Sequence, residues 1–216
     1  GIAVYSPVGG CGKSLGAAAL CRKMQKLDIP ALLIGCDSLQ SFSVYLDKEE
    51  YAEKSLADEL KDPGEDTYWN ILQNIKRGEL TCLKPFEKAL FAEGIGAREL
   101  KTLVSILREK KDFDAVILDI GSELNEKSQK LMEAADVLVV VTQASRTAAK
   151  KIRRLQKNKG LMPNLESCIV CNQYGADESR DPGWKPSEVL PEYPDAESAM
   201  EDPIFYRLSF RIMEKD

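Results

Sequence analysis

The sequence predicts an α/β fold, a doubly wound and mostly parallel β-sheet flanked by helices. Three observations carry this reading. Short apolar runs recur along the chain, at Ile2–Tyr5, Ala31–Cys36, Phe113–Asp119, Val137–Thr142 and Ser167–Cys171, with room for at least one helix between successive runs. Several are continuously apolar rather than alternating, the pattern of parallel strands buried on both faces. The first run leads through a glycine-rich segment directly into a helix-forming stretch, Leu15–Leu27, which is how a βαβ unit opens.

That glycine-rich segment, Ser-Pro-Val-Gly-Gly-Cys-Gly-Lys-Ser-Leu at residues 6–15, is the centre of the chain's chemistry. Gly9, Gly10 and Gly12 allow the backbone to turn its N–H groups inward around an anion, Cys11 and Leu15 complete the segment, and the following helix adds the positive end of its dipole. Lys13 is then placed to reach the β- and γ-phosphates of a nucleotide, and the Ser14 hydroxyl to hold magnesium. The strict phosphate-loop pattern would require Gly at Pro7, so the strand-loop-helix context carries the match.

Two acids close apolar strands on the same side. A right-handed crossover sets Asp37, after Ala31–Cys36, on the rim that carries the loop. There it is a candidate catalytic residue, orienting a water, or a magnesium ligand; the plainer reading is an Asp that starts a turn. Asp119 ends the next buried strand and matches the second acidic element of phosphate-loop proteins, a magnesium ligand. Asn172 follows the last internal strand, and its amide can pair with a base edge. A guanine-reading N-K-x-D would need Lys at 173 and Asp at 175, where Gln173 and Gly175 stand, so adenine and hence ATP is favoured.

The rest of the chain is read more coarsely. Residues 47–76 are polar and helical in pieces, with a break at Pro63-Gly64; a short strand is expected within Gly78–Phe86, then a loop through Gly94-Ile95-Gly96 carrying Leu90-Phe91. Ala97–Lys111 places Leu100, Leu103, Val104 and Leu107 on one helical face, and Glu126–Ala135 is a further helix. The next helix gathers Arg146, Lys150, Lys151, Arg153, Arg154, Lys157 and Lys159 without an acid; it reads as a solvated face, or else as a surface for DNA, anionic lipid or an acidic partner. Leu190-Pro191 closes a short segment before a tail expected to be irregular.

Composition bounds the function. A 216-residue chain with 44% hydrophobic and 30% charged residues can bury a substantial core, so one domain over 1–216 is expected. Because residue 1 is Gly and the first strand begins at once, that domain is expected to be excised from a longer chain with an N-terminal domain. Six scattered cysteines read as reduced cytosolic thiols, and Cys168-Ile-Val-Cys171 as core packing rather than a metal or redox pair. With no histidine, proton handling falls to carboxylates or substrate phosphate, and the net charge of -5 argues against nonspecific nucleic-acid binding.

Taken together, Gly9-Gly10-Cys11-Gly12-Lys13-Ser14, Leu32-Leu33-Ile34-Gly35-Cys36-Asp37, Asp114 to Asp119, Ala135-Asp136-Val137, Asn172 and Leu190-Pro191-Glu192-Tyr193 resemble the ParA/MinD family of deviant phosphate-loop ATPases over nearly the whole chain. The resemblance implies a sandwich homodimer closed by ATP with Mg2+, Asp37 in a first switch, Asp119 in a second, and adenine held by Asn172 and the chain at Pro191 and Glu192. Three departures stand out: Val8 replaces a second lysine that reaches the partner's phosphates, Gly35 replaces a frequent Asp, and Ile120-Gly121-Ser122 replaces a Pro-containing switch. Loss of that lysine implies weak or absent hydrolysis and is similar to the TadZ/CpaE branch, whose members help to place pilus-assembly machinery at the bacterial pole. That branch implies a cytoplasmic localisation switch with a protein partner. A septum-positioning relative would end in an amphipathic membrane helix, which the tail does not resemble. The alternatives are a septum- or chromosome-partitioning ATPase of the same family, a tyrosine or small-molecule kinase, or a ligase related to dethiobiotin synthetase, on the same fold. An iron-sulfur carrier is disfavoured by the lack of cysteine between Asp119 and Cys168.

Overall fold

The computed structural model describes residues 1–48, 50–53, 55–157, 166–174 and 186–214. Eight strands form one sheet: β1 (Ile2–Tyr5), β2 (Ala31–Gly35), β3 (Ile75–Lys76), β4 (Cys82–Leu83), β5 (Ala115–Asp119), β6 (Val137–Gln143), β7 (Glu166–Tyr174) and β8 (Glu188–Pro191). Their spatial order is β3-β4-β2-β5-β1-β6-β7-β8. Every pairing is parallel except β3 with β4, a short antiparallel edge.

The first strand is central. It lies between β5 and β6, in register through Val4 opposite Asp119 and Tyr5 opposite Val140. Its alternate residues serve two cores, as a strand covered on both faces requires. Ile2 and Val4 join Leu33, Ile117, Val139 and Val141 beneath α1 (Lys13–Lys26) and two C-terminal helices, α8 (Ala196–Met200) and α9 (Ile204–Met213). Ala3 and Tyr5 join Leu32, Ile34, Leu118 and Val140 beneath α5 (Ala97–Lys110), α6 (Glu126–Ala134) and α7 (Arg146–Lys157). Three short helices, α2 (Ser55–Glu59), α3 (Thr67–Gln73) and α4 (Ala89–Glu93), fill the long connection around β3 and β4.

Local chemistry accounts for the main helix boundaries. Glu99 Oε2 accepts from the Gly96 N–H at the start of α5, and Asn125 and Ser128 exchange side-chain and backbone bonds at the start of α6. Leu100, Leu103, Val104 and Leu107 are buried, as the helical spacing predicts. Two expectations need correction. The stretch 84–96 contains α4, in which Leu90 is exposed while Phe91 packs partly onto the core. The tail is helical, because Phe205, Leu208 and Ile212 share one face and bury against α1.

That tail is tied to α1 by charge. Lys23 is 1% exposed, pairs with Glu201 and stands 4.8 Å from the centre of the Tyr206 ring, while Lys26 also reaches Glu201 at 2.9 Å. The two lysines hold the Glu201 carboxyl down at about 2, from an ordinary value of 4.5. The stabilisation is therefore complete above 4.5 and is lost as pH falls towards about 2. Glu201→Gln is expected to flatten acid unfolding between pH 4.5 and about 2 in thermal melts, and to lower stability above pH 4.5 because buried Lys23 loses its carboxylate partner.

Candidate phosphate-binding site

The loop leaves β1 at the C-terminal edge of the sheet and re-enters as α1. Gly10 and Gly12 adopt φ values of 73° and 84°, a left-handed geometry that a side chain would strain. Gly12 has a second reason to lack a Cβ, which would come within 2.3 Å of Asn172 Nδ2. Gly9 and Gly10 are exposed and open outward, with no atom within 4 Å of a notional Cβ at either.

Three elements brace the loop. The Ser6 hydroxyl donates to Val8 O at 2.7 Å, accepts from the Val8 N–H at 3.0 Å, and lies 2.8 Å from Cys11 Sγ. From β7, the Asn172 amide donates to Cys11 O at 2.9 Å. From α7, Lys151 Nζ donates to Pro7 O at 3.0 Å. Cys11 is buried, and burial pushes its thiol pKa up, so it serves as packing rather than as a nucleophile.

Lys13 and Asp119 form a buried ion pair, and Lys13 Nζ also lies 3.3 Å from Ser14 Oγ. Strand register explains their meeting: Asp119 stands opposite Val4 on one side and Gly35 on the other, level with the point where the loop begins. Asp119 is 0% exposed, and its Oδ2 accepts no hydrogen bond. Burial raises the carboxyl pKa, opposed by Lys13 and Ser14, and the Asp37 charge adds to the rise. With the proton held more tightly folded than unfolded, this group favours the fold most below 3.8 and less as pH rises through its higher folded value.

Asp37 lies two residues beyond β2, and its two oxygens accept from Ser41 N and Ser41 Oγ, each at 3.3 Å, which ties it to the start of the 3-10 turn Ser41–Tyr45. It borders a cavity of about 330 Å3 lined also by Ser38, Glu93, Ile120, Gly121, Glu123 and Lys127. Gly35 has a steric reason to lack a side chain: a Cβ there would come within 2.4 Å of Phe42, whose ring is fully buried in that space. Val8 is half-buried and packs partly on the core.

The structure thus gathers Gly9, Gly10, Cys11, Gly12, Lys13, Ser14, Asp119 and Asn172 at one rim, with Asp37 beside them. Leu15, Asn172 and Leu190 border a small hollow of about 10 Å3, room for about one water. Pro191 and Glu192 are exposed at the end of β8. The side chains of Cys168 and Cys171 lie outside the described residues, as do Lys159, Gly175 and the Gln173 side chain. Sequence reasoning missed two braces. Ser6 carried a signal, a hydroxyl residue at the start of a turn; Lys151 carried none, because its contact depends on how α7 docks.

A family model described as AAA domain matches residues 1–164. The chain belongs to that family. Among solved structures, the cell division ATPase MinD of Pyrococcus furiosus is 18% identical, with 100% of this chain and 98% of that one covered and a TM-score of 0.77. A ParA family ATPase from Chlorobium tepidum is 15% identical, with 100% and 93% covered and a TM-score of 0.73. Cobyrinic acid a,c-diamide synthase from Mycobacterium smegmatis, solved with a bound ATP analogue and magnesium, is 17% identical, with 100% and 96% covered and a TM-score of 0.70. At these identities the likeness establishes a shared fold. No curated protein matches the chain.

Removing one partner of the buried pair leaves the other charged and unpaired. Asp119→Ala is expected to cost about 3–5 kcal/mol in urea unfolding without nucleotide. Lys13→Met combined with Asp119→Ala should recover most of that loss; strictly additive losses would show that the two side chains are not coupled.

Proposed function

We propose that this domain binds ATP with Mg2+ and acts as a dimeric localisation switch with slow or absent hydrolysis. The observation that carries the reading is the buried Lys13–Asp119 pair beneath an open arc of glycine backbone. The residues suit the ligand. Lys13 and the N-terminus of α1 supply positive potential, Gly9 and Gly10 leave backbone open to a phosphate, and Asp119 Oδ2 is a buried acceptor still to be satisfied. Magnesium would be held by Ser14 and Asp119, with Asp37 beside them, and would neutralise phosphate charge.

Within that site each side chain has a separable task. Lys13 would hold a phosphate oxygen, and Asp119, with Oδ2 still unpartnered, would be left to hold a cation. Asn172 keeps Cys11 in place, so the glycine arc holds its shape. Asp37, held by Ser41, is positioned to orient a water. Slow turnover is supported by Val8, an apolar residue at the open arc where a cation would help to neutralise a transferring phosphoryl group. Exposed Leu39 and Leu124, close in sequence to the acids at Asp37 and Asp119, together with exposed Leu90, give the proposed switch apolar surface for a second copy or a protein partner. Placement in pilus assembly at the cell pole rests on the Val8 departure. Among the described residues no helix is long and apolar enough to cross a membrane.

A second reading, group transfer to a small acceptor, is supported by the 330 Å3 cavity beside Asp37, which also presents Lys127. A small molecule that raises phosphate release from ATP would favour it.

Two measurements test the first reading. Lys13→Ala is expected to abolish ATP binding in titration calorimetry, and unchanged affinity would sink the phosphate-loop assignment. Val8→Lys should raise phosphate release or ATP-dependent dimerisation; wild-type values in both assays would show that Val8 is not what limits turnover.

A further inference from the structure

The basic helix α7 is not uniformly turned away from the site. Arg146, Lys150, Lys151, Arg154 and Lys157 are exposed, and among the described residues none of these five pairs with a carboxylate. Among the described residues, four of them make no hydrogen bond to the phosphate-binding loop. Lys151 reaches it, donating to Pro7 O at 3.0 Å, two residues before the open Gly9.

Lys13, the loop's own cation, is buried and paired with Asp119, so Lys151 is a second, exposed cation in contact with the loop. A neutral carbonyl is a weaker acceptor for an ammonium than an anionic phosphate oxygen, so Lys151 sits in a contact it can exchange with gain. Its position also suits exchange. The ammonium is solvent-exposed, on a flexible four-carbon stem, and no acid among the described residues competes for it. The opposite end of the loop is braced by Asn172 at Cys11, a neutral group that can hold the backbone but cannot add charge.

We propose that Lys151 is a specificity-determining residue for nucleoside triphosphate over diphosphate, a cation delivered from α7 to the phosphate chain. This rests on the phosphate-binding reading above. When the loop is empty Lys151 holds Pro7; when a triphosphate fills the glycine arc, Lys151 moves to the charge that the diphosphate lacks. The exchange also links nucleotide state to the basic surface, because it draws one cation of α7 towards the site.

The test is titration calorimetry on the whole domain with magnesium, using the non-hydrolysable analogue AMPPNP and, separately, ADP. Lys151→Ala is expected to weaken AMPPNP binding by about tenfold or more, the size of one charge-assisted hydrogen bond, while ADP affinity changes by less than about twofold. Lys151→Arg should restore most of the AMPPNP affinity, and the difference between wild type and Lys151→Ala should shrink as salt rises. Equal losses for both nucleotides would overturn the proposal in favour of a loop brace, and no loss for either would overturn it outright. Lys150→Ala, on the same helix without the loop contact, should leave both affinities unchanged; a matching loss there would reduce the effect to general surface charge. If wild type binds neither nucleotide, the phosphate-binding reading itself fails, a result distinct from any outcome for Lys151.

Discussion

The buried Lys13–Asp119 pair is the constraint around which this rim of the molecule is arranged. Two ionised groups inside a protein are tolerated when each compensates the other, and removing either leaves an uncompensated charge. Their meeting demands that β1 and β5 be neighbours in a set register, that the loop return towards the sheet at Lys13, and that α1 start there. It also leaves one carboxylate oxygen without a partner. The arrangement sets a buried lysine beside a carboxylate with one open oxygen, each compensating the other's charge.

Around that pair the loop is held from three directions: Ser6 at its start, Asn172 from β7 and Lys151 from α7. These contacts are unequal in kind. The Ser6 and Asn172 bonds are local or neutral and give shape. The Lys151 bond carries charge, and its ammonium is solvent-exposed, so it is the brace most easily exchanged. A neutral frame with one exchangeable cation fixes the loop's shape and, under the proposed function, leaves electrostatic capacity for a phosphate.

The sheet converts this rim into a rigid platform. Both faces of β1 are covered, one by α1, α8 and α9 and the other by α5, α6 and α7, so the strand that launches the loop has little freedom to shift. The departures from the resembling family become intelligible in these terms. Gly35 has no room for a side chain because Phe42 occupies the space, and Val8 is half-buried in the core rather than projecting a charge. Both tie a chemical difference to packing beneath the rim.

The sequence by itself determined the α/β class, the central parallel strands, the phosphate loop and the acid at the end of β5, because each depends on short-range pattern: continuous apolar runs, glycine spacing, and an Asp closing a strand. It missed α4 and the helical tail. In the tail, Phe205, Leu208 and Ile212 form a face whose meaning comes from the α1 surface they cover. It placed Asp37 and Asn172 on the right rim without showing that one is tied to the start of a turn and the other holds Cys11 O. Tertiary structure alone decided that Lys13 pairs with Asp119 and that Lys151, one cation among several on α7, touches the loop. The physical reason is distance along the chain: contacts between residues 7 and 151, or 13 and 119, depend on strand order and helix docking, which local propensity does not encode.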